Sequence, residues 1–202
     1  MVEPTLRVRG FEIYKEFLDA AEQVGLVADL REVMRVAPPF SPDTPHGKAM
    51  SVRMTSAGDW GWFSDTDGYR YVDRHPSGVA WPEIPERVLD IWRAVSGVDR
   101  VPESCLINFY GEGAKMGMHR DADEAEMLWP VVSVSLGDDG LFRMGGDKRA
   151  GATNAIWLSS GDVVVMGGNS RNAFHGIDRI RFGSSDLLPR GGRVNVTMRV
   201  VT

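Results

Sequence analysis

CLINFYGEGAKMGMHRDADEAEMLWPVVSVSLG, residues 105–137, alternates apolar β-forming runs with short turn-like stretches. Similar runs follow it along the chain: LFRMGG, NAIWLSSGDVVVMGG, AFHGI and RVNVTMRVV. Many short strands at this spacing, separated by turn signals, are typical of a sandwich or barrel. We therefore predict that residues 104–202 form a β-sandwich.

The part of the chain before residue 104 has a different pattern. Residues 11–34 place apolar side chains at helical spacing, with Gly25 as a point where the helix could divide in two. A further helix fits residues 83–97. Residues 37–48 hold four prolines and predict a loop, and the segment after it mixes aromatic residues with glycine and aspartate. The fold class expected is mainly β with N-terminal helices (α+β).

Length and composition indicate an ordinary globular protein. At 202 residues, with 43% hydrophobic and 25% charged residues, the chain suits one domain. No apolar run approaches the roughly 18–20 residues of a membrane span, and the N-terminus lacks the pattern of a secretory signal. The single cysteine, Cys105, excludes an internal disulfide and suits a reducing compartment. We expect a cytoplasmic protein without a membrane partner.

The net charge of −5 bears on nucleic-acid binding. Proteins that bind nucleic acid tend to be basic, because neutralising phosphates releases counterions. A negative net charge disfavours tight nonspecific binding to long duplex DNA. It does not exclude a nucleic-acid partner, since the charge of the local face decides.

His119 and Asp121 are candidate metal ligands. One residue separates them, and positions i and i+2 of an extended chain point to the same face, so both side chains can reach one point. His175, in the later run NAFHGI, supplies a second histidine. Two histidines and one carboxylate form the facial triad of non-haem Fe(II) oxygenases. An H-x-D pattern also arises by chance, and a histidine in a strand is often only a core or surface residue.

The run RVNVTMRVV places its polar residues on one face of a strand: Arg193, Asn195, Thr197 and Arg199. The plain interpretation is an amphipathic strand with one solvated side. If the face points inward, its arginines suit a dicarboxylate, because guanidinium and carboxylate match in a two-pronged geometry. Asn108 and Tyr110 share one face of LINFY in the same way and offer hydrogen-bond donors.

Together these segments resemble the AlkB-type Fe(II)/2-oxoglutarate dioxygenases. The resemblance runs from about Met50 to the C-terminus and lies in MSVRMTSAGDWGW, CLINFYGEGAKMGMHRDADE, PVVSVSLG, GGDKR, SGDVVVMGGNSRNAFHGI and RVNVTMR. The order and spacing of H-x-D, the later histidine and R-x-N-x-T-x-R follow the family pattern. Met144 and Met166 stand where bacterial relatives often carry an aromatic residue, and Arg143 replaces an uncharged one.

The resemblance implies a double-stranded β-helix (jelly-roll) core that binds Fe(II), 2-oxoglutarate and O2. The metal ligands and catalytic residues would be His119, Asp121 and His175. Arg193 would pair with the distal carboxylate of 2-oxoglutarate, and Arg199 would anchor its other end and orient Asp121. Assisting residues would be Asn108, Tyr110 and Asn195.

The resemblance also implies a binding site for a damaged base. Trp62, Tyr69, Asp123 and Arg149 correspond to family positions that contact the base and its phosphate. A base inside a duplex cannot reach a buried metal, so it must be flipped out or already single-stranded. N1-methyladenine and N3-methylcytosine carry a positive ring charge, which a carboxylate such as Asp123 would favour.

The implied activity is oxidative demethylation of such bases in alkylated single-stranded DNA, with RNA as a second candidate substrate. The products would be formaldehyde, succinate, CO2 and the repaired base. Within one domain, residues 1–202, we expect a helical N-terminal extension (1–45), a nucleotide-recognition lid (46–80) and the jelly-roll core (104–202). We expect a monomer.

Two other functions stay open on the sequence. An AlkB-like dioxygenase could act on transfer RNA or on a protein. The aromatic segment GWFSDTDGY favours a base, but the sequence does not separate DNA from RNA, because the contact that discriminates them is to a 2′-hydroxyl. A non-catalytic jelly roll that binds a small ligand is the alternative from another class. The joint presence of both histidines, Asp121 and both arginines disfavours it.

Overall fold

Two packed β-sheets form the centre of the computed structural model, which describes residues 2–202. The strands are β1 (Leu6–Val8), β2 (Phe11–Tyr14), β3 (Val52–Gly58), β4 (Gly61–Asp65), β5 (Gly68–Val72), β6 (Ser104–Tyr110), β7 (Met116–His119), β8 (Val131–Gly137), β9 (Asp139–Met144), β10 (Asn154–Leu158), β11 (Val163–Met166), β12 (His175–Arg181) and β13 (Arg193–Arg199). The helices are α1 (Ala20–Val36) and α2 (Glu86–Val95), with a short 3-10 turn at Gly168–Ser170.

The sheets differ in size. Seven strands form the larger one in the order β1-β2-β11-β8-β13-β6-β3, and four form the smaller one in the order β10-β9-β12-β7. Strands β4 and β5 make a separate hairpin. This mostly β architecture, with two α-helices in the described chain, confirms the fold class predicted from the sequence.

Side-chain alternation on β8 and β13 separates two apolar layers. Val134 and Val196 point toward the helices and pack in one cluster with Leu30 and Trp92. A second cluster, which includes Phe142 of the smaller sheet, fills the space between the sheets. Because side chains alternate along a strand, the polar residues of β13 face the smaller sheet. The strand is buried along its whole length, so the solvated-face interpretation is wrong.

The predicted helix over residues 11–34 is partly wrong. Residues Phe11–Tyr14 form β2, which pairs antiparallel with β11 at the sheet, and Phe11 and Ile13 are fully buried. Helix α1 begins only after Asp19, whose carboxylate accepts the Glu22 backbone N–H in a capping box. The apolar spacing before Asp19 is compatible with a helix and with a strand, and pairing with β11 stabilises the strand.

Gly25 does not divide α1, contrary to the division considered from the sequence. A Cβ at this position would lie 3.0 Å from Nε of Arg87 on α2, so the glycine allows close approach between the helices. The predicted second helix is confirmed as α2.

The region expected as a lid has two structural parts. Strand β3 pairs along its length with β6 at the edge of the seven-stranded sheet. The β4–β5 hairpin follows it and carries Trp62 and Tyr69. Among residues 2–202, no helix has the length and apolar character needed to cross a membrane.

Candidate active site

His119, Asp121 and His175 meet at one end of the smaller sheet. His119 is the last residue of β7, His175 is the first of β12, and the two are register partners in that sheet. Asp121 lies two residues beyond the end of β7, with Oδ1 3.6 Å from Nε2 of His119 and Oδ2 3.8 Å from Nε2 of His175. The three ligand atoms all lie within 4.8 Å of one another, a spacing that suits one metal ion.

Backbone contacts orient both imidazole rings. Nδ1 of His119 lies 2.9 Å from the Gly117 carbonyl oxygen, and Nδ1 of His175 lies 3.1 Å from that of Ala173. A proton donated from each Nδ1 leaves Nε2 free to ligate a metal. Burial lowers the pKa of His175 to about 4, although the charge of Asp121 opposes this. The His175 imidazole is therefore neutral at physiological pH, as a ligand must be.

Arg199 holds the carboxylate of Asp121 in place. Its Nη2 donates to Oδ2 of Asp121 at 2.8 Å, and both side chains are buried. Burial, the largest single effect, would raise the pKa of Asp121, but the charge and hydrogen bond of Arg199 and the two neighbouring imidazoles together outweigh it and hold that pKa well below its usual range. Two imidazoles and one carboxylate are the donor set of the Fe(II) facial triad, so these residues fit the metal.

Arg193 presents unused hydrogen-bond donors to the interior. The residue is 1% exposed, and its Nη2 donates to Oγ of Ser135 at 2.9 Å. Its Nε and Nη1 have no hydrogen-bond partner among residues 2–202. A Cβ on Gly140 would come within 2.8 Å of Nε, so the glycine makes room for the guanidinium. A buried charge with unsatisfied donors is costly, and an anion such as the distal carboxylate of 2-oxoglutarate would satisfy them.

The assisting residues predicted for 2-oxoglutarate lie in the same cavity, but they differ in whether their polar atoms already have hydrogen-bond partners. Tyr110 and Asn108 line it from β6, and Oδ1 of Asn108 is buried with no hydrogen-bond partner in the described part of the chain. The amide of Asn195 is engaged, because its Nδ2 donates to Oγ of Ser133 at 2.7 Å and its Oδ1 accepts from Thr197 at 3.0 Å. Asn195 is thus already held by its neighbours.

The four residues predicted for base binding also line this cavity, whose volume is about 400 Å³. Nε1 of Trp62 donates to Oδ2 of Asp123 at 2.8 Å. The Trp62 and Tyr69 rings stack with centroids 5.4 Å apart. Arg149 is exposed. The structure therefore brings all twelve predicted site residues to one cavity.

Four polar residues around the site were not predicted: Ser135, Glu124, Arg171 and Tyr71. Ser135 could have been found, because in VVSVSL it alternates with apolar residues and shares a face with Ser133. The other three meet through contacts between distant parts of the chain. Of the three departures from the family pattern, Met166 lines the cavity.

The comparisons with known proteins agree with this geometry. The model of the 2OG-Fe(II) oxygenase superfamily matches residues 10–199. An alpha-ketoglutarate-dependent dioxygenase AlkB homolog of Caulobacter vibrioides is 46% identical over 200 residues, which cover 98% of this chain and 91% of the relative. The alpha-ketoglutarate-dependent dioxygenase AlkB of Escherichia coli is 38% identical, with 94% of this chain and 89% of the relative covered.

More distant proteins share the same likeness. The DNA N(6)-methyladenine demethylase ALKBH1D of Arabidopsis thaliana is 29% identical over 94% of this chain and 49% of its own length. The solved structure of OsALKBH1 matches with a TM-score of 0.81 and 30% identity, and the match covers 97% of this chain and 99% of that one. The chain therefore belongs to the 2OG-Fe(II) oxygenase superfamily, as an AlkB-type dioxygenase that uses Fe(II), 2-oxoglutarate and O2.

Proposed function

We propose that the protein is an oxidative demethylase of N-alkylated bases in single-stranded DNA. The observation that carries the proposal is that one cavity holds both the His–Asp–His triad and the paired side chains of Trp62 and Asp123. A relative with a DNA demethylase name supports a nucleic-acid substrate.

The wall formed by Trp62 and Asp123 suits a cationic base. An aromatic ring offers a stacking face to any base, and it attracts a cationic one further. The carboxylate of Asp123 adds a negative charge beside that face. N1-methyladenine and N3-methylcytosine combine a flat ring with a positive charge, so this wall would bind them in preference to unmodified bases. In this proposal the β4–β5 hairpin serves as the nucleotide-recognition lid.

The chain's own residues place the reactants. When bound, Fe(II) with 2-oxoglutarate and O2 supplies the oxidation of the N-methyl group, which leaves as formaldehyde while 2-oxoglutarate becomes succinate and CO2. The triad holds the metal, and Arg199 fixes the orientation of Asp121. Arg193 binds the distal carboxylate, which sets the direction of the co-substrate. Trp62 and Asp123 hold the base so that its methyl group lies next to the metal.

A local set of exposed cations fits a phosphate backbone. Lys115, Arg120 and Arg149 are exposed residues of the cavity lining, and within residues 2–202 none of them forms an ion pair. Other surface arginines, such as Arg87 and Arg93, are paired with carboxylates. In a protein of net charge −5, this rim is where phosphates would be attracted.

The test compares substrate classes. An oligonucleotide with one N3-methylcytosine is supplied as single-stranded DNA, as duplex DNA and as RNA, with Fe(II) and 2-oxoglutarate, and repaired cytosine is measured by mass spectrometry. We expect repair of the single-stranded DNA, and none with the His119→Ala variant. Succinate formation without repair of any of the three would contradict the proposal, and faster repair of RNA than of DNA would move the substrate class to RNA.

A cytoplasmic location and a monomeric state complete the proposal. The single cysteine, Cys105, is free and buried, which suits a reducing compartment. Sedimentation at micromolar concentration should give the mass of one chain, and a dimer would contradict the monomer.

A further inference from the structure

Glu124 is a second buried carboxylate beside the metal-binding triad, and its side chain is 1% exposed. Residues from three separate parts of the chain converge on it. The hydroxyl of Tyr71 donates to Oε1 at 2.6 Å, and Nη2 of Arg171 donates to Oε2 at 3.0 Å. Nε of Arg199 lies 3.2 Å from Oε1. Burying a carboxylate is costly, and these contacts offset that cost.

Both arginines that contact Glu124 also hold Asp121. Arg199 donates to the Asp121 carboxylate at 2.8 Å through Nη2. Arg171 donates to the Asp121 backbone carbonyl at 2.7 Å through Nη1. Glu124 therefore balances the charge of both groups that position the metal-binding carboxylate. Arg171 lies four residues before His175, so the segment that leads to the third metal-binding residue also belongs to this cluster.

Tyr71 connects this cluster to the β4–β5 hairpin. It lies on β5, where it is the register partner of Trp62 on β4. Its hydroxyl is protonated at neutral pH, because burial raises the pKa of Tyr71 well above its ordinary value. A continuous series of contacts thus runs from Trp62 through Tyr71 and Glu124 to Arg199 and on to Asp121.

We propose that Glu124 is a positioning residue for the metal centre, and that the Tyr71–Glu124 contact couples the order of the β4–β5 hairpin to occupation of that centre. Bound metal and co-substrate would hold the Asp121 side chain in one position, and with it Arg199. Arg199 in turn would hold the Glu124 carboxylate where it accepts the hydrogen bond from Tyr71. Because the coupling free energy is reciprocal, an ordered hairpin would strengthen metal binding by the same free energy with which metal binding orders the hairpin. Partners of this kind orient metal ligands in other proteins.

The test uses Mn(II) and 2-oxoglutarate without nucleic acid, so its outcome is independent of the proposed substrate. Hydrogen–deuterium exchange of residues 61–72 is measured with and without the two ligands. We expect ligand binding to slow this exchange in the wild type. In Tyr71→Phe the ligands should still bind, but the slowing in the hairpin should be lost. Equal slowing in Tyr71→Phe and wild type would overturn the coupling.

Two further variants separate coupling from a general effect on structure. Tyr14→Phe is the matched control, because the Tyr14 hydroxyl contacts Glu12 at 3.4 Å, away from the cavity. It should keep the wild-type slowing. Glu124→Gln keeps the shape but removes the charge, and we expect Mn(II) affinity to fall about tenfold. An unchanged affinity in folded Glu124→Gln would overturn its positioning role. If Glu124→Gln does not fold, the exchange measurement on Tyr71→Phe still decides the coupling.

Discussion

The indole N–H of Trp62 donates to the carboxylate of Asp123 across 2.8 Å, which joins the β4–β5 hairpin to the loop that follows the candidate metal ligand Asp121. An aromatic face and a negative charge therefore stand side by side in the wall of the cavity. In the proposed function, the face would accept any flat base, whereas the charge would distinguish cationic from neutral bases. The contribution of Asp123 should therefore depend on the charge of the base.

Asp123→Asn should reduce repair of cationic lesions selectively. A partly screened attraction of about 1.5 kcal/mol corresponds to roughly tenfold in kcat/KM. We expect that loss for N3-methylcytosine, which is cationic, and a change of less than about twofold for neutral N3-methylthymine, because no charge attraction is removed. Competition between the two lesions in single-stranded oligonucleotides measures the ratio. An equal loss for both would mean that Asp123 acts only through the position of Trp62.

Arg193→Met should weaken 2-oxoglutarate binding strongly without destabilising the apo-protein. The guanidinium is buried with two unsatisfied nitrogens, so its replacement by an apolar side chain should leave the apo melting temperature equal or higher. Loss of charge-assisted hydrogen bonds worth about 3 kcal/mol should raise the Kd of 2-oxoglutarate roughly a hundredfold. Calorimetric titration in the presence of Mn(II) measures this, with exposed Arg190→Met as control. A Kd within threefold of the wild type would refute the assignment of Arg193.

His119→Ala and Asp121→Ala should differ in stability, although both should abolish metal-dependent stabilisation and turnover. The His119 side chain is 37% exposed, so its removal should cost less than about 1 kcal/mol of unfolding free energy. Removing Asp121 leaves buried Arg199 without its main partner, and we expect a cost of about 3 kcal/mol. Urea unfolding of the apo-proteins measures the difference. A stable, metal-responsive variant at either position would contradict the triad.

Salt dependence tests the cationic rim. If Lys115, Arg120 and Arg149 each neutralise one phosphate, log K for a single strand should fall against log salt with a slope of about −2. Arg149→Gln should reduce the slope by about 0.7. Arg87→Gln is the control, because Arg87 is already paired with Asp29 at 2.7 Å. A slope unaffected by Arg149→Gln would place the phosphates elsewhere.

Cys105 should not react in the folded protein. Burial raises the pKa of its thiol to about 12, so the reactive thiolate is absent at pH 8. Labelling with a thiol reagent should follow global unfolding. The folded pKa lies above the unfolded one, so this contribution to stability is complete below about pH 8.5 and is lost as the pH rises toward 12. Rapid labelling of native protein at pH 8 would show that the residue is accessible.

The sequence contained the local features of the site. On β13, alternation alone put Arg193 and Arg199 on one face, and spacing alone put His119 and Asp121 within reach of one point. Whether that face pointed inward depended on pairing with β6 and β8, which alternation does not determine. The family resemblance supplied that information.

Long-range pairing explains what the sequence did not predict. The apolar spacing of Phe11–Tyr14 fits both a helix and a strand, and the strand with which it pairs, β11, lies about 150 residues further along the chain. In the sequence, Glu124 is one acidic residue among several in MGMHRDADEAE. Only its tertiary contacts with Tyr71 and Arg171 distinguish it from its exposed neighbour Asp123.

The most direct test of the account is the stoichiometry of turnover. Single-stranded DNA with one N3-methylcytosine is incubated with the protein, Fe(II), 2-oxoglutarate and O2, and formaldehyde, succinate and repaired cytosine are quantified together. We expect formaldehyde and repaired cytosine in equal amounts, each accompanied by succinate, and none of the three with His175→Ala. Succinate released while the lesion stays intact, or no turnover by protein that binds the metal, would contradict it.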